Sequence, residues 1–154
     1  MKQLLIATII VFVYACNNAP EKTDRKDGFT PVLKTKEDSL YHDVMEGHDI
    51  GMAKMGTLRK QLNRVKHELD SINKLPAKKI DQRRKEVLLD LVEDLNYADH
   101  AMFTWMQEFQ VDSAKSDMSK RLAYLESEKV KVQKVRDNIL LSLRRADSLY
   151  ASEP

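Results

Sequence analysis

From about residue 36 onward, apolar side chains recur at alternating intervals of three and four. One set is Tyr41, His48, Met55, Leu62 and Leu69, alternating with Val44, Gly51, Leu58, Val65 and Ile72. This 3-4 spacing, held over several heptads, predicts a helix over 36–74 that packs in coiled-coil fashion. Thr35 or Asp38 is placed to cap its start, and Pro76 ends it because the residue before proline disfavours the helical conformation. A second stripe, Leu88, Leu91, Leu95, Ala98, Met102, Trp105 and Phe109, predicts a helix over 77–110 that opens directly after Pro76. Polar residues from Gln110 to Ser116 interrupt the period. A third stripe, Met118, Leu122, Leu125, Val132, Val135, Ile139, Leu143 and Ala146, predicts a helix over 117–151, with Lys129 and Arg136 wetting one edge of its seam. Three long helices joined by short links imply an all-α, antiparallel three-helix bundle over residues 35–152.

The first fifteen residues stand outside this pattern. Lys2 precedes an apolar run from Leu4 to Val13, broken only by Thr8. At about ten residues the run is half of what a membrane-spanning helix needs, and it has the length and flanks of a secretory leader. It closes on Val13-Tyr14-Ala15-Cys16, which holds the only cysteine in the chain. This tetrapeptide resembles a bacterial lipobox, with Tyr14 where a small or aliphatic residue is usual. The resemblance implies that residues 1–15 are a signal peptide, that Cys16 is lipidated, and that the mature protein is held on a membrane surface in the cell envelope, outside the cytoplasm. The alternative is an ordinary signal peptide with an incidental cysteine. Residues 16–34 are polar, contain Pro20, Gly28 and Pro31, and lack helical periodicity. They read as a flexible tether of about 23 Å average span.

Composition narrows the function classes. The single cysteine excludes a disulfide framework and CxxC-type metal or haem sites. Lys and Arg number 26 against 24 Asp and Glu, without the basic surplus of a nucleic-acid binder. Loss of Lys2 with the leader leaves the totals closer still, so bulk charge gives no polybasic signal for lipid headgroups. No HExxH, GxSxG, P-loop or GxGxxG motif occurs, and the pattern points to no enzyme. His67 falls on the charged side of the first helix and reads as solvated.

One constellation stands above this background. The stretches YHDVMEGHDIGMAKM (41–55) and DHAMFTWM (99–106) hold five methionines, His42, His48, His100 and the only tryptophan. Helical spacing stacks Met45, His48 and Met52 on one face and Met102 over Met106. A hairpin near Pro76 sets Met52 against His100 and Gly47 against Trp105. Thioethers are soft ligands suited to Cu(I) or Ag(I), imidazole completes such a site until it is protonated, and an indole face covers a cation. The candidate ligands are His48, Met52, Met102 and Met106, with His100 and Met45 as alternates and Trp105 as the capping aromatic. In residue types only, the set resembles that of small periplasmic copper chaperones, which are β-barrels. Asp49 and Asp99 offer a harder variant suited to Zn²⁺, and a haem held by one His and one Met is a further alternative against which the narrow core argues. The plain alternative is packing: methionine fills irregular cores, and a Met/Trp stripe at helical spacing is ordinary core. Gly47, Gly51 and Gly56 disfavour a helix interior. They either make room for Trp105 or a ligand, or mark a helix frayed as far as Gly51.

The patterns His48-Asp49-x-x-Met52-x-Lys54-Met55 and Met102-x-x-Trp105-Met106 resemble those of a group of envelope lipoproteins. Some of these carry the label of the viral A-type inclusion protein repeat, a label that reflects heptad composition. The resemblance implies no reaction. Two functions follow from the sequence: a lipid-anchored module that buffers Cu(I) or Ag(I) or passes it to a partner, or a structural lipoprotein whose helices dock another envelope protein without metal.

Overall fold

Thr35 starts the first helix. Its hydroxyl accepts from the Asp38 backbone N–H at 3.0 Å, and the Asp38 carboxylate accepts from the Thr35 N–H at 3.0 Å. This reciprocal pair satisfies backbone donors that the helix leaves open. The hydrogen bonds from Thr35 hold the Asp38 carboxyl below its ordinary range. The structure, a computed structural model, describes residues 33–151. The leader, Cys16, the tether up to residue 32 and residues 152–154 lie outside the described residues.

The first helix, α1, runs without interruption over Lys36–Asn73, about 57 Å at 1.5 Å per residue. Fraying up to Gly51 does not occur. Gly47 and Gly51 are buried, and the second and third helices use the room they leave. A Cβ at Gly47 would lie 3.0 Å from the Val132 side chain, and one at Gly51 would meet the Met102 methyl group and approach Ile139. Trp105 does not occupy this space. Gly56 faces open space.

The second helix does not open at Pro76. Residues Ala77–Lys79 form a single 3₁₀ turn and Ile80 is extended. The helix α2 then spans Gln82–Glu108, capped by the Asp81 carboxylate, which accepts from the Arg84 N–H at 3.1 Å. An aspartate that caps a new start overrides the preference of proline for a first turn. The third helix, α3, spans Met118–Ala151, and the Asp117 carboxylate accepts from the Lys120 N–H at 3.1 Å.

All three helices pack against one another in an all-α bundle. Cross-helix pairs set the register. Arg84 meets Glu68 at 2.6 Å near the hairpin, Arg59 meets Asp99 at 2.8 Å midway, and His48 stands opposite Trp105 at the far end. These pairs make α2 antiparallel to α1. Asp43–Lys129 (2.7 Å), Gln61–Asp147 (3.1 Å) and Glu68–Tyr150 (3.0 Å) make α3 parallel to α1. The axial levels expected from a hairpin near Pro76 therefore hold.

The azimuth of α1 differs from the expected stripe in one respect that matters for function. Its buried residues are Leu40, Val44, Gly47, Gly51, Met55, Leu58, Leu62, Val65 and Leu69. Two consecutive four-residue steps at Gly47, Gly51 and Met55 shift the seam by one position. Tyr41 and His48 leave the core and turn to its edge. The stripe of α2 matches expectation from Leu88 to Trp105. In α3 the seam admits charge at positions other than those expected. Arg121 and Glu128 are buried, whereas Lys129 and Arg136 lie partly exposed at the rim and Met118 is 55% exposed.

Burial of Arg121 and Glu128 is tolerated because each is bonded. The Arg121 guanidinium donates to Glu37 at 2.9 Å and to the Ser113 carbonyl at 3.0 Å, tying α1, the α2–α3 link and α3 together. Glu128 accepts from the Trp105 indole N–H at 3.0 Å and from Lys131 at 2.8 Å. Among the described residues no buried side-chain nitrogen or oxygen lacks a partner. At the hairpin end, burial opposes the charge on Glu68. Hydrogen bonds from Arg84 and Tyr150, with the charges of Arg84 and Arg64, outweigh it and hold the carboxyl below its usual range. Burial, then the bond to Glu68, pushes the Tyr150 phenol up to about 12. No helix among the described residues is long and apolar enough to cross a membrane.

Candidate functional site

The seam shift in α1 and the end of α2 build a cleft of about 210 Å³ at the end of the bundle where α1 begins. Tyr41, Met45 and His48 come from α1, Trp105 and Met106 from α2, and Phe109 and Val111 from the link that follows. Four of the sequence-derived candidates, Met45, His48, Met106 and Trp105, thus line one cavity.

The aromatic wall is rigidly placed. Trp105 is 5% exposed and its N–H is fixed by Glu128. Its ring stacks on Phe109 at 4.9 Å between centroids, and Phe109 stacks on Tyr124 at 6.2 Å. The Tyr124 hydroxyl accepts from the Gln110 N–H at 2.7 Å, closing the stack onto the backbone of the α2–α3 link. The His48 ring lies 5.7 Å from Trp105, tilted by 39°.

His48 is held from its outer side. Its Nδ1 is 2.9 Å from an Asp49 carboxylate oxygen, an acceptor that favours the tautomer with the proton on Nδ1. A carboxylate on the far ring nitrogen is the usual companion of a metal-ligating histidine, because it fixes the tautomer and raises the basicity of the ligand atom. Two thioethers and one imidazole beside an indole face make a donor set for a soft monovalent cation.

The other candidates are placed elsewhere. Met102 is 1% exposed and packs into the core against Gly51, with no access to the cleft. Met52 is 39% exposed on the surface of α1 and does not line the cleft. His100 turns to the opposite side of Trp105. There it lines a groove of about 350 Å³ between α2 and α3 with Thr104, Lys134 and Val135, and its Nε2 is 3.4 Å from the Thr104 hydroxyl. The expected meeting of Met52 and His100 therefore holds in axial level and fails in direction. A helix turns 100° per residue, so Met52, one position past the buried Gly51, faces outward. N-terminal to Gly51 the one-step shift of the seam turns Tyr41 and His48 to its edge, where Met45, an alternate in the sequence reading, joins them in the cleft.

The harder variant gains no assembled site. Asp99 is engaged by Arg59 and Asp49 by His48, and no group of three His, Cys, Asp or Glu residues is placed to hold a metal among the described residues. Tyr41, Phe109 and Val111 in the lining, and Glu128 behind Trp105, are the contributors that sequence reasoning missed. Glu128 was detectable: it continues the 3-4 spacing between Leu125 and Val132, where a charge needs a buried partner.

The chain matches no protein-family model, and no curated protein or solved structure is similar to it. The functional reading therefore rests on the residues themselves.

Proposed function

We propose that this protein is a lipid-anchored binding module of the cell envelope that captures Cu(I) or Ag(I) through Met45, His48 and Met106 beneath the Trp105 indole. The observation that carries the reading is the convergence of these four side chains on one cleft, with the Asp49 carboxylate behind the imidazole. Thioether ligands do not titrate in the ordinary pH range and bind hard ions poorly, so the site favours a soft ion over Mg²⁺ or Ca²⁺. The lipid anchor at Cys16 would hold the module at a membrane, where it buffers the ion or passes it on.

Anaerobic calorimetry in reducing buffer tests this directly. The expected result is one Cu(I) or Ag(I) per chain, bound tighter than micromolar, with no heat from Mg²⁺. Binding weaker than micromolar for both soft ions would remove the reading.

A second reading has one observation in its favour. Phe103, Met106 and Val111 are 55%, 45% and 47% exposed at this end of the bundle. Methionine-rich apolar surfaces adapt to protein partners. On this reading the module docks an envelope protein without metal, and crosslinking recovers the same stoichiometric partner from metal-free and metal-loaded cells.

A further inference from the structure

The near balance of charge over the whole chain conceals an uneven distribution along the bundle. Among the described residues where α1 and α3 begin, five lysines are matched and Lys34 is not: Lys36 pairs with Glu126, Lys115 with Asp112, Lys120 with Asp117, Lys129 with Asp43 and Lys131 with Glu128. The opposite end is formed by the α1–α2 hairpin and the end of α3. There Lys74, Lys78, Lys79, Arg83, Lys85 and Arg144 have no ion-pair partner among the described residues.

The carboxylates nearby are largely occupied. Glu68 takes Arg84 and the Tyr150 hydroxyl, Asp81 caps α2, Asp94 holds Arg145, and Asp147 accepts from Gln61. Asp70, Glu86, Asp90 and Glu93 remain, four carboxylates against the six cations. The tip therefore carries a net positive field that the rest of the bundle does not cancel locally.

Apolar groups stand among these cations. Leu75 is 44% exposed between Lys74 and the Lys78–Lys79 turn. Val87, 39% exposed, lies with Leu149 in shallow clefts flanked by Arg83, Arg84, Arg144 and Arg145. A soluble polyanion would use the charges and leave Leu75 and Val87 in water. The surface of an anionic bilayer uses both, with cations at the headgroup phosphates and short apolar side chains at the acyl boundary.

We propose that the hairpin tip is a contact surface for an anionic phospholipid bilayer. The surface is separate from the Met/His cleft, at the other end of the bundle, and does not depend on metal binding. With the chain tethered through Cys16, it would supply a second, reversible point of attachment, sensitive to lipid charge and ionic strength.

The test uses the Pro31–Pro154 unit, which is compact and contains every buried apolar side chain among the described residues, from Leu40 to Ala146. It is sedimented with phosphatidylglycerol/phosphatidylcholine vesicles and with pure phosphatidylcholine vesicles. Binding to the anionic vesicles alone, weakening as salt rises, is expected. At about fivefold per cation near the surface, Lys78→Gln/Lys79→Gln lowers the partition coefficient about 25-fold. The pair Lys54→Gln/Lys134→Gln makes the same charge change on exposed α1 and α3 positions away from the tip and leaves the partition near wild type. Leu75→Ser weakens binding at unchanged charge. Equal binding to neutral vesicles, equal losses from the two lysine pairs, or retention on polyphosphate without vesicle binding would overturn the proposal. Unchanged helical circular dichroism in each variant excludes misfolding as the cause.

Discussion

Replacing Trp105 with Ala is expected to lower the stability of the bundle by about 3–5 kcal/mol, the range for truncating a large buried aromatic. The reason lies in what the ring joins. It packs in the core at 5% exposure, stacks on Phe109, faces His48 and donates to the buried Glu128. Truncation opens a cavity and leaves the buried Glu128 with Lys131 as its remaining partner. For a bundle of this size the melting temperature should fall by about 10–20 °C. Trp105→Phe retains most of the packing and loses the N–H donor, so a smaller loss of about 1 kcal/mol is expected. Urea and thermal melts followed by circular dichroism measure both. A loss below 1 kcal/mol for the alanine variant would mean that the indole is not the wall of the cleft.

The second large effect concerns the cation. The double substitution Met45→Leu/Met106→Leu should weaken Cu(I) binding by at least about 100-fold while leaving the fold intact. Leucine is close to methionine in volume and is tolerated where the thioether serves only as packing. Met106 is 45% exposed, so its replacement disturbs little of the core. Loss of an outer-shell partner alone commonly costs 10–100-fold in metal affinity, and removal of two ligand sulfurs costs more. Met52→Leu and Met102→Leu serve as contrasts. The first changes a surface side chain and the second a buried one, and neither lines the cleft. Competition with a coloured Cu(I) chelator under anaerobic conditions reads all three. Equal affinity in the double variant and the wild type would show that sulfur at this cleft is not a ligand.

Much of the bundle was legible because its signals are strong and local. The Leu88, Leu91 and Leu95 stripe, the Thr35 cap and Pro76 determine helix faces and the hairpin level with little interference from tertiary contacts. The start of α2 was not legible from Pro76 alone, because Asp81 offers a competing cap four residues after the 3₁₀ turn begins. The charged seam of α3 was not legible because burial of Arg121 and Glu128 depends on partners remote in sequence, Glu37 and Trp105.

The cleft was legible in composition and in axial level, less so in azimuth. A glycine contributes little to a hydrophobic stripe, so the double step through Gly47 and Gly51 is hard to see in the sequence. That step turns Tyr41 and His48 from the core to the rim of the cleft, where Met45 joins them. Met52, one position past the buried Gly51, stays on the surface, and Met102 fills the space over Gly51. His100 lies at the expected level and on the other side of Trp105 because α3, as well as α1, packs against α2.

The most direct test is the copper K-edge X-ray absorption spectrum of the chain loaded with one equivalent of Cu(I). The account predicts a first shell dominated by thioether sulfur from Met45 and Met106, with one imidazole nitrogen from His48, and loss of the sulfur scattering in Met45→Leu/Met106→Leu. A shell of nitrogen and oxygen only, or sulfur scattering that persists in that variant, would contradict it.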